Sequence, residues 1–202
     1  MKLAIHNYLF HLIRLLLKLI IKPYLLLCGF RIEGKNKLPQ KRCPLIIICN
    51  HAALVDTVYL IAAIKPKITI CGAKNRFFSN IWLRLLMRIA NIIRAEPCEN
   101  FFEECIKLLD ADEILLIYPE MGRNPIGLGR FETTVAEIAL SRHITAIPCY
   151  LSGTYLADSH FVRLIVGDGI RPAGDPESLT KTYRNAIVQL EVISKTYLNR
   201  VL

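Results

Sequence analysis

The sequence predicts a single α/β domain with a mainly parallel central sheet flanked by helices, preceded by an N-terminal amphipathic helix on a membrane surface. Three observations carry that expectation. Short β-branched runs alternate with stretches of helical period, the pattern of βαβ units. The chain has 202 residues, the size of one ordinary domain and enough to bury a core. Hydrophobic residues make up 53% and charged residues 21%, which excludes a disordered chain. A mean hydropathy of +0.36 is high for a freely soluble enzyme and directs attention to a membrane surface. No uncharged apolar run reaches the roughly 18 residues of a spanning helix, so a multi-pass protein is not expected.

The first element is a helix over Leu3 to Lys22. At about 100° per residue, Asn7, His11, Arg14, Lys18 and Lys22 share one narrow arc, and nearly everything else is Leu, Ile, Phe or Tyr. A broad apolar face with a thin basic stripe fits a helix lying in a lipid interface, its cations reaching phosphates while their stems stay in the apolar layer. Pro23 is expected to stop it. His6 and His11 fall on different faces and do not make a metal pair. The boundaries expected are an anchoring helix at 1–27 and the main domain at 28–202.

Pro44 to Cys49 reads as a buried strand. Ala52 to Ile64 is helical and ends before Pro66. Ile68 to Cys71 is a strand, and Phe78 to Ile93 an amphipathic helix, with a short strand at Ile92 to Ala95 as the alternative for its end. Asn100 to Leu109 is a helix. Glu113 to Tyr118 is a strand followed by a Pro/Gly-rich loop, Pro119 to Gly129. Glu132 to Arg142 is a helix, Thr145 to Leu151 and Val162 to Val166 are strands, and Leu179 to Val201 is a closing helix. In such a sheet the functional loops sit at the carboxyl ends of the strands.

Charge and cysteine use narrow the classes of function. Residues 1–50 hold nine Lys and Arg against one acid, Glu33, out of a net charge of +9 for the chain. That asymmetry points to an anionic lipid surface or nucleic acid. The apolar character of the N-terminal helix and the lack of RNA-binding or zinc motifs disfavour nucleic acid. Seven cysteines without a C-x-x-C pair suggest neither a zinc site nor a redox motif. They read as small core residues in a reducing compartment, and no metal is expected.

Asn50-His51-Ala-Ala-Leu-Val-Asp56 lies where a central strand hands over to a helix. Five residues along a continuous helix turn about 140° apart, so the two side chains would not meet mid-helix. With His51 in the turn before the helix, Asp56 in its first turn can fold back to one imidazole nitrogen. The carboxylate then fixes the tautomer and supports an imidazolium, leaving the other nitrogen to take a hydroxyl proton. Alone the spacing is weak. It gains weight from Gly72-Ala-Lys74-Asn-Arg76-Phe77 after the next strand, from Tyr118-Pro119-Glu120-Met-Gly122-Arg123-Asn124 after a third, and from Ala146-Ile147-Pro148 in a fourth. Lys74, Arg76 and Arg123 could surround a phosphate, with Arg supplying a planar fork.

These four blocks, in this order, resemble the glycerolipid acyltransferases typified by 1-acylglycerol-3-phosphate (lysophosphatidate) acyltransferase. That pattern is N-H-x₄-D, a basic block near G-x-K/R, F-P-E-G-T-R-S, and a V-P strand, and the resemblance covers about residues 25–170. It implies His51 as general base, Asp56 as its partner, and Lys74, Arg76, Glu120 and Arg123 around the acceptor's phosphate. It also implies an α/β fold with an amphipathic membrane element. The expected activity is transfer of a fatty acyl chain from an acyl thioester, acyl-CoA or acyl-carrier protein, to the free hydroxyl of a lysophospholipid. No further cofactor is expected. Backbone N–H groups around Gly122 are the expected oxyanion donors. The expected location is peripheral, on the cytoplasmic face of an anionic membrane. Three positions depart from the pattern: Ala53 stands where Ser is frequent, Met121-Gly122 where Gly-Thr is usual, and Tyr118 where Phe is usual.

Three other readings compete: acyl transfer to a different lyso-lipid, a non-catalytic lipid-binding relative, and a hydrolase using Cys49 near His51. The last suffers because a thiol at the end of a buried apolar run is normally inert.

Overall fold

In the computed structural model, residues 16, 19–21, 23–27, 29–73, 80–94, 98–120, 122–154 and 161–201 are described. In chain order the elements are β1 (Arg31–Glu33), β2 (Leu45–Cys49), α1 (Asp56–Ala63), β3 (Ile68–Ala73), α2 (Ile81–Ala90), β4 (Ile92–Arg94), α3 (Cys98–Asp110), β5 (Ile114–Ile117), α4 (Thr134–Ser141), β6 (Ala146–Ser152), β7 (Arg163–Val166) and α5 (Pro176–Val201). The described strands form one sheet in the order β1-β7-β6-β2-β5-β3-β4. Pairing is parallel except between β6 and β7. The α/β class with a mainly parallel sheet is therefore observed.

The apolar runs of β2 and β5 are buried at every position, because helices cover both faces of the sheet. Alternation sorts their side chains into two cores. Leu45, Ile47 and Cys49 of β2, with Ile114 and Leu116 of β5, pack with Leu60, Ala63 and Ile64 in and after α1. Ile46, Ile48, Leu115 and Ile117 point the other way, onto Phe101, Cys105 and Leu109 of α3, Val135 and Ile138 of α4, and Tyr183 and Ile187 of α5.

Four local expectations change. Residues on both sides of Pro23 are helical, at 19–21 and 23–27, so the proline does not end helical structure there. Leu25 seats this stretch in the core beside Phe30. Most of the proposed N-terminal helix lies outside the described residues. Helix α1 starts at Asp56 rather than Ala52, because the N–H groups of Ala52 and Ala53 are drawn to the Asp56 carboxylate. Ile92–Arg94 is the strand β4, not the end of a helix: Asn91 closes α2 in the left-handed conformation (φ 58°) and its amide donates to the Ile68 carbonyl. Strand β1 was not expected, since Arg-Ile-Glu offers no apolar run. It is fixed by parallel pairing with β7 and an Arg163–Glu33 ion pair.

The amino end of the sheet is tied by charge. Buried Glu113 accepts from Arg42 (3.0 Å), Lys67 (3.2 Å) and Thr69 (3.2 Å), and Arg42 also donates to the carbonyls of Ala111 and Asp112 at the exit of α3. The carboxyl ends of β2, β3, β5 and β6 are left to the loops. Among the described residues, no helix is long and apolar enough to cross a membrane.

Candidate active site

His51 follows β2 by two residues, and Asp56 opens α1. The imidazole Nδ1 lies 3.0 Å from Asp56 Oδ2. The same oxygen accepts the N–H groups of Ala52 (2.7 Å) and Ala53 (2.9 Å), so the intervening backbone wraps around the carboxylate. Asp56 is 1% exposed, and its Oδ1 is buried with no hydrogen-bond partner among the described residues. An ionised carboxylate makes Nδ1 the donor, which fixes the tautomer and leaves Nε2 as the basic nitrogen. The His51 side chain is 14% exposed, so the ring opens to the surface.

Three neighbours fix the segment that carries this ring. The side-chain amide of Asn50 bonds twice to Leu151 in β6, accepting its N–H (2.7 Å) and donating to its carbonyl (3.0 Å). This is a backbone-like pair made by a side chain, and it extends the β2–β6 ladder by one step. Glu120 accepts the His51 N–H at 3.2 Å through Oε1. Its Oε2 accepts from the Asn124 amide (2.6 Å) and the Gly129 N–H (2.7 Å). The Asn124 N–H donates to the His51 carbonyl at 2.7 Å. The loop after β5 is thus stitched to both backbone polar groups of His51.

Gly129 belongs to this stitching. A Cβ there would lie 2.4 Å from Asn124 Nδ2 and 2.8 Å from Glu120 Oε2, so any side chain at this position would displace the Glu120–Asn124 bond. At Gly122 a Cβ would meet nothing nearer than the Glu120 carbonyl at 3.8 Å. That position is not sterically forced.

The structure brings His51, Asp56 and Glu120 together. Gly122, half-buried, and Arg123, exposed, follow on the same loop. Lys74 and Arg76 lie outside the described residues, as does Met121. Strand β3, which leads into the basic block, is the sheet neighbour of β5. Asn50, Asn124 and Gly129 were not singled out as site residues from sequence. Asn50 and Asn124 adjoin the His51 and Arg123 motifs in sequence, and Gly129 carries no local signal beyond ending the loop.

Tyr118 is a further member. Its ring stacks on His51, with centroids 4.0 Å apart and planes 13° from parallel. Its hydroxyl shares a hydrogen bond of 2.9 Å with Thr57. Burial, foremost, holds this phenol well above its ordinary pKa, so it stays protonated.

Cys49 does not fit a nucleophile. It is fully buried, its thiol faces Asn50 Oδ1 at 3.5 Å, and burial pushes its pKa well above the ordinary thiol range, with Cys149 adding to the effect. A reactive thiol needs the opposite shift. Among the described residues, no group of three or more His, Cys, Asp or Glu is placed to hold a metal ion.

Residues 29–152 match the family model described as Acyltransferase. The chain is 36% identical over 122 residues to a 1-acyl-sn-glycerol-3-phosphate acyltransferase of Cocos nucifera, covering 55% of this chain and 38% of that protein. It is 24% identical over 128 residues to the chloroplastic 1-acyl-sn-glycerol-3-phosphate acyltransferase LPAT1 of Arabidopsis thaliana, covering 61% of this chain and 36% of that one. The chain therefore spans less than two fifths of the length of these curated relatives. In fold it is similar to the crystal structure of the 1-acyl-sn-glycerophosphate acyltransferase PlsC from Thermotoga maritima, with a TM-score of 0.66 and 19% identity over 80% of this chain and 70% of that one.

Proposed function

Because the chain belongs to the acyltransferase family, we propose that it moves a fatty acyl chain from an acyl thioester to the free hydroxyl of a lysophospholipid, with 1-acylglycerol-3-phosphate as acceptor and phosphatidate as product. The observation that carries this reading is the 3.0 Å contact between His51 Nδ1 and Asp56 Oδ2 on a ring that reaches the surface. His51 Nε2 takes the hydroxyl proton as the oxygen attacks the thioester carbon. Asp56 stabilises the imidazolium. Collapse of the tetrahedral intermediate breaks the C–S bond, and the leaving thiolate recovers the proton from His51. Backbone N–H groups near Gly122 stabilise the oxyanion. Arg123, with Lys74 and Arg76, grips the acceptor's phosphate. Glu120 acts by holding the loop and the His51 backbone, not by moving protons. The donor is acyl-CoA or acyl-carrier protein.

The acceptor is a lipid, so seating the enzyme on the membrane turns a dilute encounter into a local one. Exposed apolar side chains support a peripheral association with the membrane surface, and the side we infer is the cytoplasmic face. They include Leu19, Ile20 and Leu27 near the N-terminus, Leu54 and Val58 beside the site, and Ile81 and Trp82 on α2, where Arg84 and Arg88 are also exposed.

The test is a panel of lyso-lipid acceptors with one labelled thioester, read by lipid mass spectrometry for wild type and His51→Ala. Labelled phosphatidate from wild type and none from the variant is the expected result. Transfer that survives His51→Ala would refute the base assignment, and a different labelled product would reassign the acceptor.

A further inference from the structure

Asp56 meets the His51 ring at its edge, through Nδ1. One bond at one ring nitrogen leaves the imidazole free to tilt about the N···O line. Tyr118 meets the ring on its face, at 4.0 Å and 13°, and closes off that tilt on one side. The Tyr118 hydroxyl is itself held, at 2.9 Å, by Oγ1 of Thr57. Thr57 follows Asp56 directly on α1. Successive helical residues point about 100° apart, so the first turn of α1 sends one side chain to the ring's edge and the next to the support behind its face. The four side chains close a circuit: His51 to Asp56, along the backbone to Thr57, to Tyr118, and back to His51.

We propose that Tyr118 and Thr57 are positioning residues for His51: the Thr57 hydroxyl ties the Tyr118 ring to the helical turn that carries the carboxylate, so that edge and face constraints on the imidazole move as one body. The purpose is directional. Proton transfer needs the basic nitrogen held within about 10–20° of its productive line, and the Asp56 bond alone does not supply that. Phenylalanine at this position would keep the face contact and lose the tie, which needs the Tyr118 hydroxyl. The proposal rests on the reading of His51 as general base.

The test is steady-state acyl transfer with Tyr118→Phe, Thr57→Val, the double variant, Thr57→Ser and Tyr118→Leu, each with a melting curve. A single hydrogen bond of this kind sets the scale. We expect Tyr118→Phe and Thr57→Val each to lower kcat about 3- to 10-fold with KM unchanged, the double variant to lose no more than either one, and Thr57→Ser to restore kcat. Tyr118→Leu, which removes the stack as well, loses about 10- to 100-fold. A structural role, in which Thr57 only satisfies a buried phenol, predicts something else: Thr57→Val is harmful, Tyr118→Phe is silent, and the double variant returns to wild type. That outcome overturns the proposal, as do additive losses in the double variant. NMR of a histidine-labelled chain reads the same geometry without turnover. The upfield displacement of the His51 ring protons by the Tyr118 ring persists in Thr57→Ser and shrinks in Thr57→Val, and a full displacement in Thr57→Val also counts against the tie. His51→Ala separates the two levels. If it stays active, the base assignment fails. If it is inactive while Tyr118→Phe matches wild type, only the positioning role fails.

Discussion

Replacing Asp56 by asparagine separates charge from shape at the proposed catalytic pair. One oxygen of Asp56 accepts three N–H groups, from His51, Ala52 and Ala53, at 2.7–3.0 Å. An asparagine oxygen in the same place keeps all three bonds, and its NH₂ falls where the carboxylate has Oδ1, which is buried and has no hydrogen-bond partner among the described residues. The backbone wrap should therefore survive, with a change in melting temperature of a few degrees at most. The negative charge is what disappears. At the 3.0 Å separation, unit charges attract by about 5.5 kcal/mol at an effective dielectric of about 20. Hydrogen bonds to charged groups contribute about 1.5–3 kcal/mol net. Taking about 3 kcal/mol as the support lost from the imidazolium, kcat should fall about 150-fold. The assay is labelled acyl transfer to lysophosphatidate at saturating thioester, with a melting curve on the same preparation. Activity within about threefold of wild type in a folded Asp56→Asn protein would refute the claim that the carboxylate supports a cationic histidine. Asp56→Ala is the wrong variant, because it also strands two backbone N–H groups and confuses folding with chemistry.

Gly129→Ala should lower both stability, by about 1–3 kcal/mol, and kcat, because its Cβ collides with the Glu120–Asn124 bond; Gly122→Ala should leave the melting curve unchanged, as its Cβ makes only an ordinary van der Waals contact with the Glu120 carbonyl at 3.8 Å. Asn50→Leu should destabilise by about 1–3 kcal/mol in a denaturant titration, since it leaves the Leu151 N–H and carbonyl unpaired in the core. Cys49→Ala should keep transfer activity within about threefold, at a modest cost in stability for a small buried cavity; loss of activity in a folded Cys49→Ala protein would revive a thiol mechanism.

The elements most legible in the sequence are those with continuous apolar runs. Leu45–Cys49 and Ile114–Ile117 are strands because both faces are covered, and a chain buried on two sides has no polar alternation to blur the reading. Strand β1 was illegible for the opposite reason. Arg31–Glu33 is an edge strand whose stability comes from residues 130 or so positions away, and no local pattern reports that pairing. At the site, the spacing of His51 and Asp56 carried the geometry, since two residue types and a helix start suffice to argue a fold-back. The support around them could not be read in this way. Asn50 acts through the Leu151 backbone, and Glu120 through Asn124, Gly129 and the His51 N–H. These are contacts between a side chain and distant main chain, and the residues involved show their roles only after the strands have been placed side by side.

Sheet topology brings the segments after β2 and β5, far apart in the chain, to one edge. Strand β5 inserts between β2 and β3, with Ile48 and Cys71 both in register with Ile117. The carboxyl ends of the three strands lie side by side, so the segments that follow Cys49 and Ile117 share one edge. The acidic and basic groups that brace the sheet, Glu113 with Arg42 and Lys67, sit at the opposite edge. Stability and chemistry are thereby drawn from different ends of the same strands, and a loop at the carboxyl end can vary without loosening the brace. The departure at Ala53 is a case in point. Asp56 uses the N–H of this residue, at 2.9 Å, and not its side chain. A hydroxyl there would add nothing to the Asp56 wrap, so its absence is no argument that the site has lost its chemistry. The departure at Tyr118 works the other way, adding a hydroxyl that the chain uses through Thr57.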